Sequence, residues 1–306
     1  MQRRKFIRNI GLSTALAGMG GYQHLKANPE HRSSAPHAFN LKYAPHFGMF
    51  KHHAGEDLVD QLTFMSEQGF MALEDNGLLK RSEADQKKIG AALERLGMTM
   101  GVFVVDGGDN WKTSLTTGKD EFMETFLSTC KQSVEAAKKV NAKWMTVVPG
   151  FYERKIPIGI QTGNVIEALK RGAEILEPHG LTMVLEPLSD TPDLFLRNSD
   201  QSYAICKAVD SPACKILYDI YHMQRNEGNL ITHMEAAWDE IAYIQIGDNP
   251  GRKEPGTGEI NYLNVFKYLD EKGFKGIAGM EHGNASPGLE GEKALIEAYK
   301  KADSFK

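Results

Sequence analysis

Residues 179–187 read His179-Gly180-Leu181-Thr182-Met183-Val184-Leu185-Glu186-Pro187. A glycine closes one helical stretch, a short apolar run follows, and an acid ends the run. The same punctuation returns at Gln68-Gly69-Phe70, Leu96-Gly97-Met98 and Lys272-Gly273-Phe274. Working outward, apolar runs near 40–46, 70–74, 99–105, 143–148, 182–186, 215–219, 242–247 and 277–281 predict strands. Between them, 56–68, 82–96, 119–140, 164–178, 199–209, 231–240 and 262–272 carry apolar residues at helical spacing. Eight strand-helix units from residue 39 onward match the α/β class and the (β/α)8 TIM barrel in count and size. An open doubly wound sheet fits less well, because no glycine-rich phosphate loop follows the first strand.

The chain begins differently. Arg3-Arg4-Lys5-Phe6-Ile7-Arg8 precedes a stretch, Asn9 to Leu25, with no Lys, Arg, Asp or Glu and much Gly, Ala, Leu and Ser. A basic start and a short, mildly apolar centre fit a cleaved export signal better than a membrane span, which needs about 20 strongly apolar residues. The paired arginines resemble the twin-arginine signal. Residues 1–38 are therefore expected to be a signal peptide and linker, cut between Ala27 and Ala38. That would leave a catalytic domain of residues 39–306 in the periplasm or otherwise exported, with no membrane anchor. This domain holds 30 basic and 39 acidic side chains, a formal charge of −9, which opposes binding to nucleic acid. Cys130, Cys206 and Cys214 have the spacing of neither a disulfide framework nor a zinc ribbon and are expected to be buried small hydrophobes, a Cys206–Cys214 bridge being the alternative.

In a parallel barrel the chemistry sits at the carboxyl ends of the strands. Strand five ends Leu185-Glu186-Pro187, strand six Leu217-Tyr218-Asp219, strand seven Ile244-Gln245-Ile246 and strand eight Gly279-Met280-Glu281. The separations of 33, 26 and 36 residues are each close to one unit, so Glu186, Asp219, Gln245 and Glu281 should converge on one side of the mouth. Three carboxylates gathered in a low-dielectric mouth repel one another unless a cation is present. An all-oxygen set, with Gln245 binding through its carbonyl, favours Mg2+ or Mn2+ over zinc. Taken singly, each acid has a plainer role as a helix cap, and Gln245 as a partner of a neighbouring strand.

With these residues in view the chain resembles the hydroxypyruvate isomerase family of the xylose-isomerase-like barrels, a group similar to sugar epimerases and inosose dehydratases. The resemblance runs from about residue 40 to the end. It rests on Leu185-Glu186-Pro187, Asp219-Ile220-Tyr221-His222, Ile244-Gln245-Ile246, Met280-Glu281-His282 and the long run from Pro250 to Tyr262. It implies that Glu186, Asp219, Gln245 and Glu281 are metal ligands, that Glu186 and Glu281 accept and donate the proton, and that His222 and Arg252 contact substrate. The related epimerases carry histidine where Gln245 stands.

The chemistry that follows is proton transfer on a small α-hydroxy carbonyl compound through an enediolate, with a glutamate on each side of the reacting carbons. Glu259 would orient Arg252 or His222, or else cap the helix beginning near Asn261. Glu74 and His46, at the ends of strands two and one, would line the pocket. Phe47, Phe50, Trp111, Phe151 and Tyr152 follow strand ends and would form an apolar lid. The alternatives are an exported sugar or keto-sugar epimerase, a non-catalytic sugar-binding barrel, and a DNA-repair nuclease. The last needs a metal cluster with several histidines and a less acidic surface.

Overall fold

The structure is a computed structural model that describes residues 36–105, 110–112 and 114–306. The export signal expected at the start of the chain lies outside these residues. The eight strands are β1 Tyr43–Ala44, β2 Ala72–Leu73, β3 Thr99–Met100, β4 Trp144–Val147, β5 Thr182–Leu185, β6 Cys214–Asp219, β7 Ile241–Gln245 and β8 Ala278–Gly279. Six pair in the order β1-β8-β7-β6-β5-β4, and β2 pairs with β3, every pair parallel. Two single bridges join the arcs, His46 with Glu74 between β1 and β2, and Val104 with Thr146 between β3 and β4. Backbone bonds from Glu74 N to Pro45 O (3.0 Å) and from Thr146 N to Phe103 O (2.8 Å) carry that closure. The ring is complete, as the repeat predicts.

Helices pack outside the ring against one extended apolar core. Asp57 caps helix Leu58–Glu67 by accepting from Val59 N and Asp60 N, and Ser82 caps helix Glu83–Leu96 through Asp85 N. The four glycines that punctuate the sequence, at 69, 97, 180 and 273, all take positive φ. The helix expected from residue 164 begins earlier, spanning Ile158–Leu176, because its first turn exposes Ile158 and Ile160 and so breaks the amphipathic pattern. Among the described residues three helices that the periodicity did not single out are Lys51–Ala54 and Ile220–Asn226, both too short to show a period, and Gly288–Ala302. Cys130, Cys206 and Cys214 are buried and unbridged. Among the described residues no helix is long and apolar enough to cross a membrane.

The barrel interior explains why the polar residues converge. Ala44, Ala72, Val102, Val184, Leu217, Tyr243 and Ile277 form their own apolar cluster, with Trp144 packed against it. Successive strand side chains face opposite sides, so a residue two positions further on returns to the same side, one layer nearer the mouth. Those residues are His46, Glu74, Val104, Thr146, Glu186, Asp219, Gln245 and Gly279. The apolar layer is thus a floor and the polar layer stands on it. Gly279 leaves the room that Glu74 fills, since a Cβ there would lie 1.7 Å from Glu74 Oε2. Gly279→Ala is expected to cost about 1–3 kcal/mol by overpacking, measurable as a lower urea midpoint at unchanged slope.

Candidate active site

Asp219 ends β6 and caps helix Ile220–Asn226, its Oδ1 accepting from Tyr221 N at 2.7 Å and His222 N at 3.1 Å. One oxygen is thereby spent on the helix and Oδ2 is left for the mouth. The helix turn carries His222, fully buried, back over the strand end. Its Nδ1 accepts the backbone N–H of Ser189 at 3.1 Å, so the neutral ring carries its hydrogen on Nε2. Burial, reinforced by the Arg252 charge, outweighs Asp219 and lowers the His222 pKa. Nε2 lies 3.6 Å from Asp219 Oδ2 and 3.9 Å from Glu186 Oε1 and has no hydrogen-bond partner. Glu186, Asp219 and His222 are close enough to share an ion. With Nε2–H turned inward, His222 can donate to an oxygen held beside Glu186 and Asp219.

Arg252 links the other side. Its NH2 group lies 3.2 Å from Asp219 Oδ2 and 3.5 Å from Glu281 Oε2, and its Nε donates to the Glu281 carbonyl at 3.2 Å. The guanidinium carbon sits 5.1 Å from the centre of the Tyr221 ring. Glu281 Oε1 accepts from Asn76 Nδ2 at 3.1 Å. Gln245 pairs in register with Asp219 across β6 and β7, and its Nε2 donates to Glu74 Oε1 at 2.7 Å. Glu186, His222, Asp219, Arg252 and Glu281 are thus neighbours in a chain, with Gln245 beside Asp219.

Burial first, then the charges of Glu281 and Asp219, push Glu186 well above the ordinary carboxylate range against the pull of Arg252. Burial, then Glu74, push Glu281 up to about 7, again against Arg252. One guanidinium faces the three carboxylates of Glu186, Asp219 and Glu281, which leaves the charge that a divalent cation would balance. Gln245 Oε1 and Glu281 Oε2 are buried without a hydrogen-bond partner. A hard, oxygen-seeking cation fits this donor set.

The long run after β7 is built around Asp248, a fully buried residue that sequence reasoning missed. Its Oδ2 accepts from Gly256 N and Gly258 N, both at 2.9 Å, and its Oδ1 from Ile260 N at 3.1 Å. Glu254 clamps the same loop by accepting from Ala285 N at 2.8 Å. The loop holds Arg252 over the mouth in a positive-φ conformation. Asp248→Ala would leave three loop N–H groups without their charged acceptor, at about 1.5–3 kcal/mol for the first bond lost. A proteolysis time course should show cleavage within 249–260 before any other site.

Several expectations need correction. Glu74, expected to line the pocket, has no exposed surface at the mouth. It is fully buried, with Oε1 near His46 Nε2 and Gln245 Nε2 and Oε2 accepting from the Tyr243 hydroxyl. Glu259 is exposed and accepts from Asn249 and Gln224, so it orients neither Arg252 nor His222, and Asn261 itself caps the next helix. Phe50 is core, stacked on Phe70, and not part of a lid. Phe47 lies under Arg81, while Trp111 and Tyr152 are exposed. His46 keeps a partly exposed ring at the mouth, and Glu74 outweighs the effect of burial to raise its pKa. Asn76 was missed although it lies two residues beyond Glu74, where the strand period returns to the same side. Ser189 carries no sequence signal.

A closed parallel barrel with an acidic, oxygen-lined mouth is a known class of enzyme scaffold. The family model described as Xylose isomerase-like TIM barrel matches residues 62–302, and the chain belongs to that family. Over 147 residues it is 36% identical to the hydroxypyruvate isomerase of Escherichia coli, an alignment covering 47% of this chain and 55% of that protein. The chain therefore spans about half the length of that relative. It is 28% identical to the 2-oxo-tetronate isomerase of Cupriavidus necator over 241 residues, 76% of this chain and 89% of that protein. Among solved structures, the AP endonuclease of family 2 from Brucella melitensis superposes with a TM-score of 0.70 at 22% identity, over 82% of this chain and 96% of that one. The last likeness shows the fold alone.

Proposed function

We propose that this chain is an isomerase that moves a proton between adjacent carbons of a small α-hydroxy carbonyl compound, in the manner of a hydroxypyruvate isomerase. The observation that carries this reading is the pair Glu186 and Glu281, the first buried and the second partly buried beside one mouth, both held above the usual carboxylate range. A glutamate poised near neutrality can both take and return a proton. The relatives named as hydroxypyruvate and 2-oxo-tetronate isomerases support the reaction class.

In this reading Glu186, Asp219, Gln245 and Glu281 hold one divalent cation, Mg2+ or Mn2+. Such an ion would polarise the carbonyl and acidify the neighbouring carbon. His222 Nε2–H donates to a substrate oxygen that gains charge as the proton leaves. Arg252 offers its planar fork to a carboxylate or to paired hydroxyls. One glutamate removes the proton and the other delivers it. The substrate is a small molecule, met outside the cytosol if the amino-terminal signal acts as its sequence suggests.

A second reading, a longer keto sugar or keto acid, is favoured by the polar atoms left over. Asn76 Oδ1 and Thr146 Oγ1 are buried without hydrogen-bond partners around the same mouth, and a polyhydroxylated chain would satisfy them. Incorporation of solvent deuterium, followed by NMR over hydroxypyruvate, four-carbon 2-oxo acids and keto hexoses, separates the two. Exchange is expected in the α-hydroxy carbonyl compounds, and its absence from every member of the panel would refute proton transfer.

A further inference from the structure

Gln245 is the one amide among the four proposed ligands, and an amide has two chemically opposite ends. Its oxygen can bind a cation and its NH2 cannot. Which end faces the mouth is therefore decisive, and nothing in Gln245 itself decides it. The residue packed against it does. Glu74, on the polar layer of the neighbouring arc, is fully buried and offers only acceptors. Gln245 Nε2 donates to Glu74 Oε1 at 2.7 Å, and Gln245 Oε1 is left pointing away, buried and unpartnered. The reverse orientation would set two oxygens against each other in a buried site, at the cost of a repulsion and the lost hydrogen bond.

Glu74 is itself held from several sides. Tyr243, on the same strand as Gln245, donates its hydroxyl to Glu74 Oε2 at 2.9 Å, and His46 Nε2 lies 3.0 Å from Oε1. Two glycines make the space. A Cβ on Gly279 would strike Glu74 Oε2 at 1.7 Å, and one on Gly101 would strike the Tyr243 hydroxyl at 2.3 Å. A buried acid surrounded this closely costs stability on its own account, and its placement serves the groups it touches.

We infer that Glu74 is a positioning residue that locks the Gln245 amide with its carbonyl oxygen toward the mouth. Tyr243, Gly279 and Gly101 fix Glu74 for that task. This rests on the metal reading above and adds to it a residue that touches neither cation nor substrate. The arrangement is the amide counterpart of a carboxylate that orients a metal-binding histidine from behind.

The test is Mn2+ binding by calorimetry on the wild type, Glu74→Leu, Gln245→Leu and the double variant, with circular dichroism to confirm folding. Glu74→Leu and Gln245→Leu should each weaken Mn2+ by about 10- to 100-fold, and the double variant should bind no more weakly than the worse single one, because both act through one oxygen. Glu74→Gln, which keeps an acceptor oxygen and the original size, should lose less than Gln245→Leu and is the readable variant if Glu74→Leu does not fold. Additive losses, wild-type affinity in Glu74→Leu, or a loss in Glu74→Gln equal to that in Gln245→Leu would overturn the inference. A wild type that binds no Mn2+ would overturn the metal reading itself and this inference with it.

Discussion

Glu186→Gln and Glu281→Gln are each expected to slow solvent deuterium incorporation by about 10²- to 10⁴-fold, the range for losing a general acid or base. Glutamine keeps the size and an oxygen donor but cannot take up a proton near neutrality. The two variants should differ in their side effects. In Glu281→Gln the amide oxygen stays on Asn76 Nδ2, so the new NH2 turns toward the Arg252 guanidinium, where Glu281 Oε2 now lies 3.5 Å away. Two donors then face each other, and Arg252 loses part of its hold on the mouth. A rise in KM together with the fall in kcat is expected for Glu281→Gln. For Glu186→Gln, which has no close contact with Arg252 among the described ion pairs, kcat should fall with little change in KM. Full activity in either variant would remove that glutamate from the proton path.

Much of this site was legible because two periods coincide. The strand period of two puts Glu186, Asp219 and Gln245 on the side of Val184, Leu217 and Tyr243, and the unit period brings successive strand ends around one mouth. Glu281 lies two residues beyond Gly279 on the same alternation. What the sequence did not reveal depends on depth and direction. Glu74 obeys both periods yet sits beneath the mouth, because Gly279 leaves a hole at its level and Tyr243 and Gln245 supply donors there. A strand end in the sequence has no depth. Asp248 and Ser189 act through backbone N–H groups of folded loops, a kind of partnership that leaves no residue pattern. Glu259 looked functional because it falls in a distinctive run, whereas the run is distinctive for the glycines whose N–H groups converge on Asp248.

Removing divalent metal should abolish deuterium exchange and also change the sign of a pH effect on stability. Glu281 titrates near 7 in the fold against 4.5 ordinarily, and Glu186 is raised in the same direction. A raised carboxylate pKa means that the folded state favours the protonated form. The associated stability is present at low pH and lost as the pH climbs through the folded value. His46, also raised, acts in the same sense. Buried His222 and His282, both lowered, act oppositely, and because the unfolded imidazole is still half protonated at 6.5 their effect fades only about a unit above it. Between pH 6.5 and 8 Glu281 alone should cost metal-free protein on the order of 1 kcal/mol, which is read as the difference between its melts and those of a variant that lacks this carboxyl. Metal-free Glu281→Gln should show a flatter profile over that window. With Mn2+ at about 100 times its Kd the gain is about 2.7 kcal/mol, and because the ion requires deprotonated ligands that gain grows as pH rises. Thermal melts with chelator and with Mn2+ should thus diverge toward alkaline pH, falling in the first and rising in the second. Coincident melts across the window would mean that these four oxygens do not bind a cation, and the buried carboxylates would then be left to share protons among themselves.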